Sequence, residues 1–424
     1  MSFLRMQETA HDQLIEHLLD VRTFSETITN SLEREDFVIQ SMPDVSPAKW
    51  HLAHTTWFFE TFVLEPSVPD YQLFHPQFRF LFNSYYNAVG DRHPRAHRGM
   101  LSRPTIDEVR KYRAYVDHAL AKLNVEQLSD EVRSVIEIGI HHEQQHQELM
   151  LTDIKHVLNI NPLRPAYRSD LTTPEPSEPQ ALSWSHFDSG IHQVGHAGDN
   201  FHFDNEAPRH EVLLRDFQLA NRLTSNQEYL EFIEDRGYQR PELWLSEGWD
   251  AVQQLGWTCP LYWERVNDEW QTFTLAGMRD LHLQEPVTHV SFFEADAFAR
   301  WKGCRLPTEF EWEHVAQIYQ PGPQSNFVEE DLLHPRSAPT PDDQKSPAQL
   351  YGDAWEWTAS PYIAYPGYHP PDGAIGEYNG KFMSSQWVLR GGSCVTSKSH
   401  IRPTYRNFFH PEKRWQFTGI RLAE

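Results

Sequence analysis

A chain of 424 residues, 39% apolar and 13% aromatic, has material for two or three domains with sizeable cores. A formal charge of −23 argues against nucleic-acid or anionic-membrane partners, whose phosphates require a basic surface, and no apolar run approaches the ~20 residues that span a bilayer. The opening MSFLRMQETAHDQ lacks the apolar core of a secretory signal, and Cys259, Cys304 and Cys394, odd in number and far apart, read as reduced thiols of a cytoplasmic protein.

Residues 1–160 read as helical. Leu14, Leu18, Val21, Ile28 and Leu32 keep a helical spacing in the first segment. A second helix is expected from Ser46-Pro47, with serine as N-cap and proline at the first helical position, running through WHLAHTTWFFETFVL. A third is expected from about Pro104 through IDEVRKYRAYVDHALAKL, and a fourth over DEVRSVIEIGIHHEQQHQELMLTDIKHVL. Four long helices predict a bundle, a fold that builds metal sites from inward side chains. Residues 161–184, rich in proline and polar side chains, read as a linker. From 185 to 424 short apolar segments alternate with Gly, Asn, Asp and Pro around one clear helix, SFFEADAFARWKG, so an α+β domain is expected, with residues 321–349 as a long surface loop.

The fourth helix carries the chemistry. His142-Glu143-Gln144-Gln145-His146 fits the H-E-x-x-H pattern of zinc proteases, and its two histidines, four apart, share one helical face. Val135, Ile138, His142, His146, Leu149 and Asp153 form a stripe, so the histidines stand where core side chains are expected. Two buried histidines satisfied by hydrogen bonds are the bland alternative; the spacing on an inward face favours a ligand pair. Proteolysis is poorly supported. The longer motif needs glycine and histidine where Leu149 and Thr152 stand, and the first glutamate after Glu148 is Glu175, inside the linker. Glu148 lies about 240° around the helix from His142, off the coordination face. His51 and His54 are candidates for a third ligand from the second helix, and their spacing does not choose between them. Three imidazoles with open positions suit a non-haem Fe(II) that holds a substrate and O2 together.

With these segments in view, the chain resembles the ergothioneine sulfoxide synthases of the EgtB family. That resemblance implies an α + (α+β) architecture: a DinB-like four-helix bundle, then a formylglycine-generating-enzyme-like domain related to C-type lectins. CRLPTEFEWEHVA from Cys304, AWEWTAS from Ala354, LRGGSC from Leu389 and GIRLA from Gly419 are similar to that domain's signature segments, with Trp355, Trp357, Gly391 and Gly392 read as structural. Formylglycine generation itself is not expected, because Thr396 and Ile401 stand where the copper-binding cysteines belong. The family's LAH and H-x3-H-x-E segments imply His54, His142 and His146 as iron ligands.

The resemblance further implies O2-dependent coupling of a thiol to the imidazole carbon between the two nitrogens of hercynine. Bond formation and oxidation of the sulfur to a sulfoxide supply the four electrons that O2 takes up, so no external reductant is needed. A tyrosine phenol is expected as donor. Where one branch of the family carries it, this chain has Ile375, shortly before Tyr378; the cysteine-using branch carries a tyrosine pair, here Tyr85 and Tyr86, with Tyr85 slightly favoured. Arg95 and Arg98 are expected to clamp the thiol substrate's carboxylate, as guanidinium geometry favours. Gln145, Asn407 and Tyr378 are expected around hercynine. Phe409 replaces an acidic residue that would meet a γ-glutamyl amine, which favours free cysteine. The alternatives are a synthase coupling a selenosugar to hercynine, and a lectin-like binding scaffold with a vestigial metal site.

Overall fold

Several helices of this chain begin where a serine or threonine is followed three residues later by glutamate, so that each side chain satisfies the other's orphan N–H. Thr105 with Glu108, Ser225 with Glu228, Ser291 with Glu294 and Thr308 with Glu311 all close such reciprocal caps. The computed structural model describes residues 2–174, 178–339 and 347–424; residues 175–177 of the expected linker and 340–346 of the expected loop lie outside it. The chain divides into two compact units, one of residues 1–162 with 372–378, the other of 163–371 with 379–424.

Among the described residues, the first unit holds four helices of 12 to 31 residues: α1 (Ser2–Ile28), α2 (Ala48–Phe59), α3 (Ile106–Leu120) and α4 (Asp130–Ile160). α4 packs against both α1 and α2, and α2 also packs against α3. The start of α2 differs from the expectation by one position. Pro47 is the N-cap, while the Ser46 hydroxyl accepts a hydrogen bond from Arg98 at 2.9 Å. Every residue of α2 is buried, and its line continues through one π-helical stretch, Glu60–Leu64. Thr105 caps α3, so Pro104 lies before that helix.

α4 has two covered faces rather than one stripe. Val135, Ile138 and Leu149 are only half-buried, whereas Glu143 and Gln147 are buried with the histidines. Toward α1, Gln147 donates to the Val21 carbonyl at 2.7 Å. The Glu143 carboxylate accepts from Ser25 Oγ at 2.7 Å and Arg22 at 2.8 Å, and also from Arg113. These buried charges compensate one another, which is the condition under which they are tolerated.

The second unit mixes helices with short strands. Its helices are α5 (Asn226–Glu234), α6 (Ser246–Leu255), α7 (Phe292–Lys302) and α8 (Glu309–Ile318). Four of its strands, here β1 (Trp355–Pro361), β2 (Trp387–Arg390), β3 (Asn407–Phe409) and β4 (Thr418–Gly419), form one sheet in the order β3-β2-β1-β4, with β4 parallel to β1 and the other pairs antiparallel. Smaller sheets of two and three strands complete it. Trp355 and Trp357 are core residues: Trp357 Nε1 donates to the Val290 carbonyl at 2.9 Å. Gly391 and Gly392 turn the chain after β2 at φ +99° and +83°, and a Cβ on Gly391 would stand 2.7 Å from the Leu350 carbonyl oxygen. Beside them Arg421 grips both Glu356 oxygens at 2.8 Å.

The expected linker is partly structured. Residues from Leu163 onward belong to the second unit, Tyr167 and Leu171 are buried, and Arg168 pairs with Asp331 at 2.6 Å. The segment 372–378, expected within a continuous C-terminal block, belongs to the first unit.

Candidate metal centre

His54 on α2 and His142 and His146 on α4 form the group whose nitrogens lie within 4.8 Å of one another, and all three are buried. Ring centroids are 4.9 Å apart for His54 and His142, 4.7 Å for His54 and His146, and 4.6 Å for His142 and His146. The helical period accounts for the α4 pair, since positions four apart sit one above the other. Full burial of α2 then carries His54 to the same point.

Hydrogen bonds decide which nitrogens face inward. His54 Nδ1 donates to the Phe82 carbonyl at 2.6 Å, which leaves Nε2 unprotonated in the neutral ring, 3.2 Å from His142 Nε2. A single ion with metal–nitrogen bonds of about 2.1 Å can bridge that spacing. His146 Nδ1 meets His51 Nδ1 at 2.8 Å, so its free nitrogen is also Nε2. Burial pushes all three imidazoles down; neighbouring histidines add to this at His54 and His146, while the Glu143 charge opposes it at His142, which still falls to about 3, and the rings are neutral at neutral pH. Neutral imidazoles with inward lone pairs are the donor set that divalent zinc, copper, nickel or iron accepts. The trio therefore fits a bound metal.

Glu143 does not face this group. As the second residue of an H-E-x-x-H protease site it would act as general base beside the metal. Here burial opposes its ionisation, but Arg113 and Arg22 overcome that and hold the carboxyl down to about 2. It is engaged toward α1 and α3, a placement that does not support proteolysis.

Around the histidines the first unit gathers several of the expected residues. Tyr86 is buried, its ring stacks on Tyr85 with centroids 4.6 Å apart, and the two hydroxyls are 3.5 Å apart. Burial, then the neighbouring Tyr85 and Tyr378, pushes the Tyr86 phenol well above its ordinary value, so it keeps its proton. Tyr378 stands edge-on to His142 at 5.6 Å and to Tyr85 at 6.2 Å, and its hydroxyl donates to Gln145 Oε1. Arg98 is buried with its guanidinium 3.3 Å from the Trp50 ring centroid, and Trp50 itself stacks on His54 at 4.6 Å. Among the described residues Arg98 Nε has no hydrogen-bond partner. Arg95 is exposed and donates to the Asp44 carbonyl. Asn407 and Phe409 belong to the second unit, on β3, where Asn407 Oδ1 accepts from the Phe408 N–H at 2.9 Å and Phe409 packs edge-on to Trp415 at 5.7 Å.

In the sequence His51 reads only as a rival ligand, and Asp153 carries no role. His51 Nε2 lies 3.1 Å from Asp153 Oδ2, so the two extend from His146 as one chain of contacts. The available signal was Asp153 itself, a carboxylate seven residues after His146 on an inward stripe. Trp50, between Arg98 and His54, was also missed; as one aromatic among many it gave no signal.

The sulfatase-modifying factor enzyme 1-like domain family matches residues 175–424. A protein of Mycobacterium tuberculosis named hercynine oxygenase is 31% identical over 98% of this chain and 99% of its own length. One of the same name from Mycolicibacterium smegmatis is 31% identical over 91% of this chain and 92% of its own. The ergothioneine biosynthesis protein 1 of Schizosaccharomyces pombe is 27% identical over 53% of this chain and 28% of that longer protein. Near-complete coverage at this identity, with a C-terminal domain of the matching kind, means that the chain belongs to the hercynine oxygenase family.

Proposed function

We propose that this protein is a non-haem Fe(II), O2-dependent sulfoxide synthase, acting in the cytoplasm, that joins cysteine to the imidazole C2 of hercynine in ergothioneine biosynthesis. The observation that carries the reading is the buried trio His54, His142 and His146 in a member of the hercynine oxygenase family. We read the four helices around it as DinB-like. The three free cysteines support a reducing compartment.

Held by three neutral nitrogens, a ferrous ion would supply open positions for a thiolate and O2, and would lower the thiol's pKa. The chain's own residues do the rest. Arg98 presents an unpartnered guanidinium N–H from a buried position, suited to a carboxylate, and Arg95 is close enough to press on its charge. Gln145 and Tyr378, joined to each other, offer polar groups to an imidazole ring. Tyr85 or Tyr86 holds the proton given up during turnover, with Tyr85 the half-exposed member of the pair. Phe409, where an acidic partner for a γ-glutamyl amine is expected, favours free cysteine as the thiol.

Aerobic incubation of the Fe(II)-loaded protein with cysteine and hercynine, followed by mass analysis, tests the reading. A one-to-one adduct carrying one added oxygen is expected, and His54→Ala should abolish it. Cysteine oxidised only to its sulfinic acid would defeat the coupling while sparing the iron site. Tyr85→Phe and Tyr86→Phe then separate the donors: at least one should lose about 10²-fold or more in rate, the scale of general acid–base contributions.

A further inference from the structure

We propose that His51 and Asp153 are positioning residues that fix the tautomer of His146 and thereby aim its Nε2 lone pair at the metal. This deepens the metal reading above and rests on it. The three groups form a buried line: Asp153 Oδ2 to His51 Nε2 at 3.1 Å, then His51 Nδ1 to His146 Nδ1 at 2.8 Å. His51 and Asp153 are 2% and 3% exposed, so both are shielded from bulk solvent.

The direction of the protons follows from the far end. Asp153 Oδ2 also accepts the Ser46 backbone N–H at 2.8 Å, so that oxygen is an acceptor and His51 Nε2 must carry the hydrogen that points to it. With one N–H on the His51 ring, its Nδ1 is bare and accepts from His146 Nδ1–H, the arrangement that metal binding at His146 Nε2 requires. His146 is then left with a bare Nε2. Reversed, the line would put the His146 proton on Nε2 and occupy the lone pair a metal needs. His54 reaches the same tautomer by donating to the Phe82 carbonyl at 2.6 Å. His142 Nδ1 has no hydrogen-bond partner among the described residues. Two of the three rings are thus oriented from behind, one by backbone and one by this side-chain pair.

The test is anaerobic titration of the full-length protein with Co(II), with affinity taken from competition against a chromophoric chelator and geometry from the visible ligand-field spectrum. His51→Leu should weaken binding by about 10- to 100-fold and change the spectrum, the usual effect of removing such a partner. Asp153→Asn should weaken it in the same sense. His51→Asn, whose amide oxygen can stand where Nδ1 stood, should restore affinity to within about threefold of wild type, which lost packing alone does not explain. Thermal melting of each metal-free variant identifies any that fail to fold, and the remaining pair still decides. Wild-type affinity and spectrum in both His51→Leu and Asp153→Asn overturn the inference, as does His51→Asn binding no better than His51→Leu. His142→Ala separates the two claims: if it leaves Co(II) binding unchanged, the metal centre itself is wrong and this inference falls with it.

Discussion

Glu143 shows how one residue can carry a familiar motif and a different task. Its neighbour His142 belongs to the histidine trio, while its own carboxylate is shared by Arg22, Arg113 and Ser25 in a buried position. Removing one partner from a buried ion pair leaves charge without compensation, at a cost of about 3–5 kcal/mol. Glu143→Ala should therefore lower the unfolding free energy by that order in urea titration, while the folded fraction still binds Co(II). A general base would behave oppositely, losing turnover without losing stability. The α4 histidine pair was legible because residues four apart fall on one helical face. The role of Glu143 was not, since its partners lie 30 and more than 100 residues away and only packing brings them together.

At the scale of elements, the junction of α2 and α4 sets how closely His54 approaches the other two histidines. Gly139, one turn before His142, makes this possible: a Cβ there would lie 2.4 Å from Phe59 Cε1 and 3.0 Å from Phe58 Cε1. Phe59 cannot simply swing away, because it is fully buried and the Arg22 guanidinium sits 5.2 Å from its ring centroid. Inside a helix Gly→Ala normally stabilises by about 1 kcal/mol, whereas overpacking costs about 1–3 kcal/mol. Gly139→Ala should thus be destabilising, with weaker Co(II) binding because α2 is displaced. A variant more stable than wild type would show that the helices are not in this contact. The helices themselves were readable from periodicity and caps. Their second covered face was not, because Glu143 and Gln147 look like solvent-facing residues until α1 supplies their partners.

Over the whole molecule, the division into a helical half and a mixed half followed from the change of period near residue 160. The return of 372–378 to the first unit did not, since nothing local in AIGEY marks a segment that leaves its neighbours in sequence. Each unit also holds a buried glutamate that stays ionised. Burial opposes the charge on Glu285, but His334 and Arg279 outweigh it and hold the carboxyl at about 2, as Arg113 and Arg22 do for Glu143. Both groups ionise more readily folded than unfolded. Their contribution to stability is complete above about pH 4.5, and it is lost as pH falls toward about 2, where the unfolded chain has taken up protons that the folded one refuses. Repulsion adds to this, because with 60 acidic groups neutralised the 37 Lys and Arg and 24 His leave a large positive charge. Acid unfolding should therefore appear in both units over the same window. Far-UV circular dichroism weights the helical unit; tryptophan fluorescence weights the second, since only Trp50 and Trp57 lie in the first. Glu285→Gln removes one titrating group from the second unit alone. It should lower stability at pH 7 and flatten the fluorescence-detected acid limb, leaving the circular-dichroism limb closer to wild type. An unchanged fluorescence slope in that variant would mean that Glu285 does not hold its charge against burial, and that the acid sensitivity of the second unit arises elsewhere.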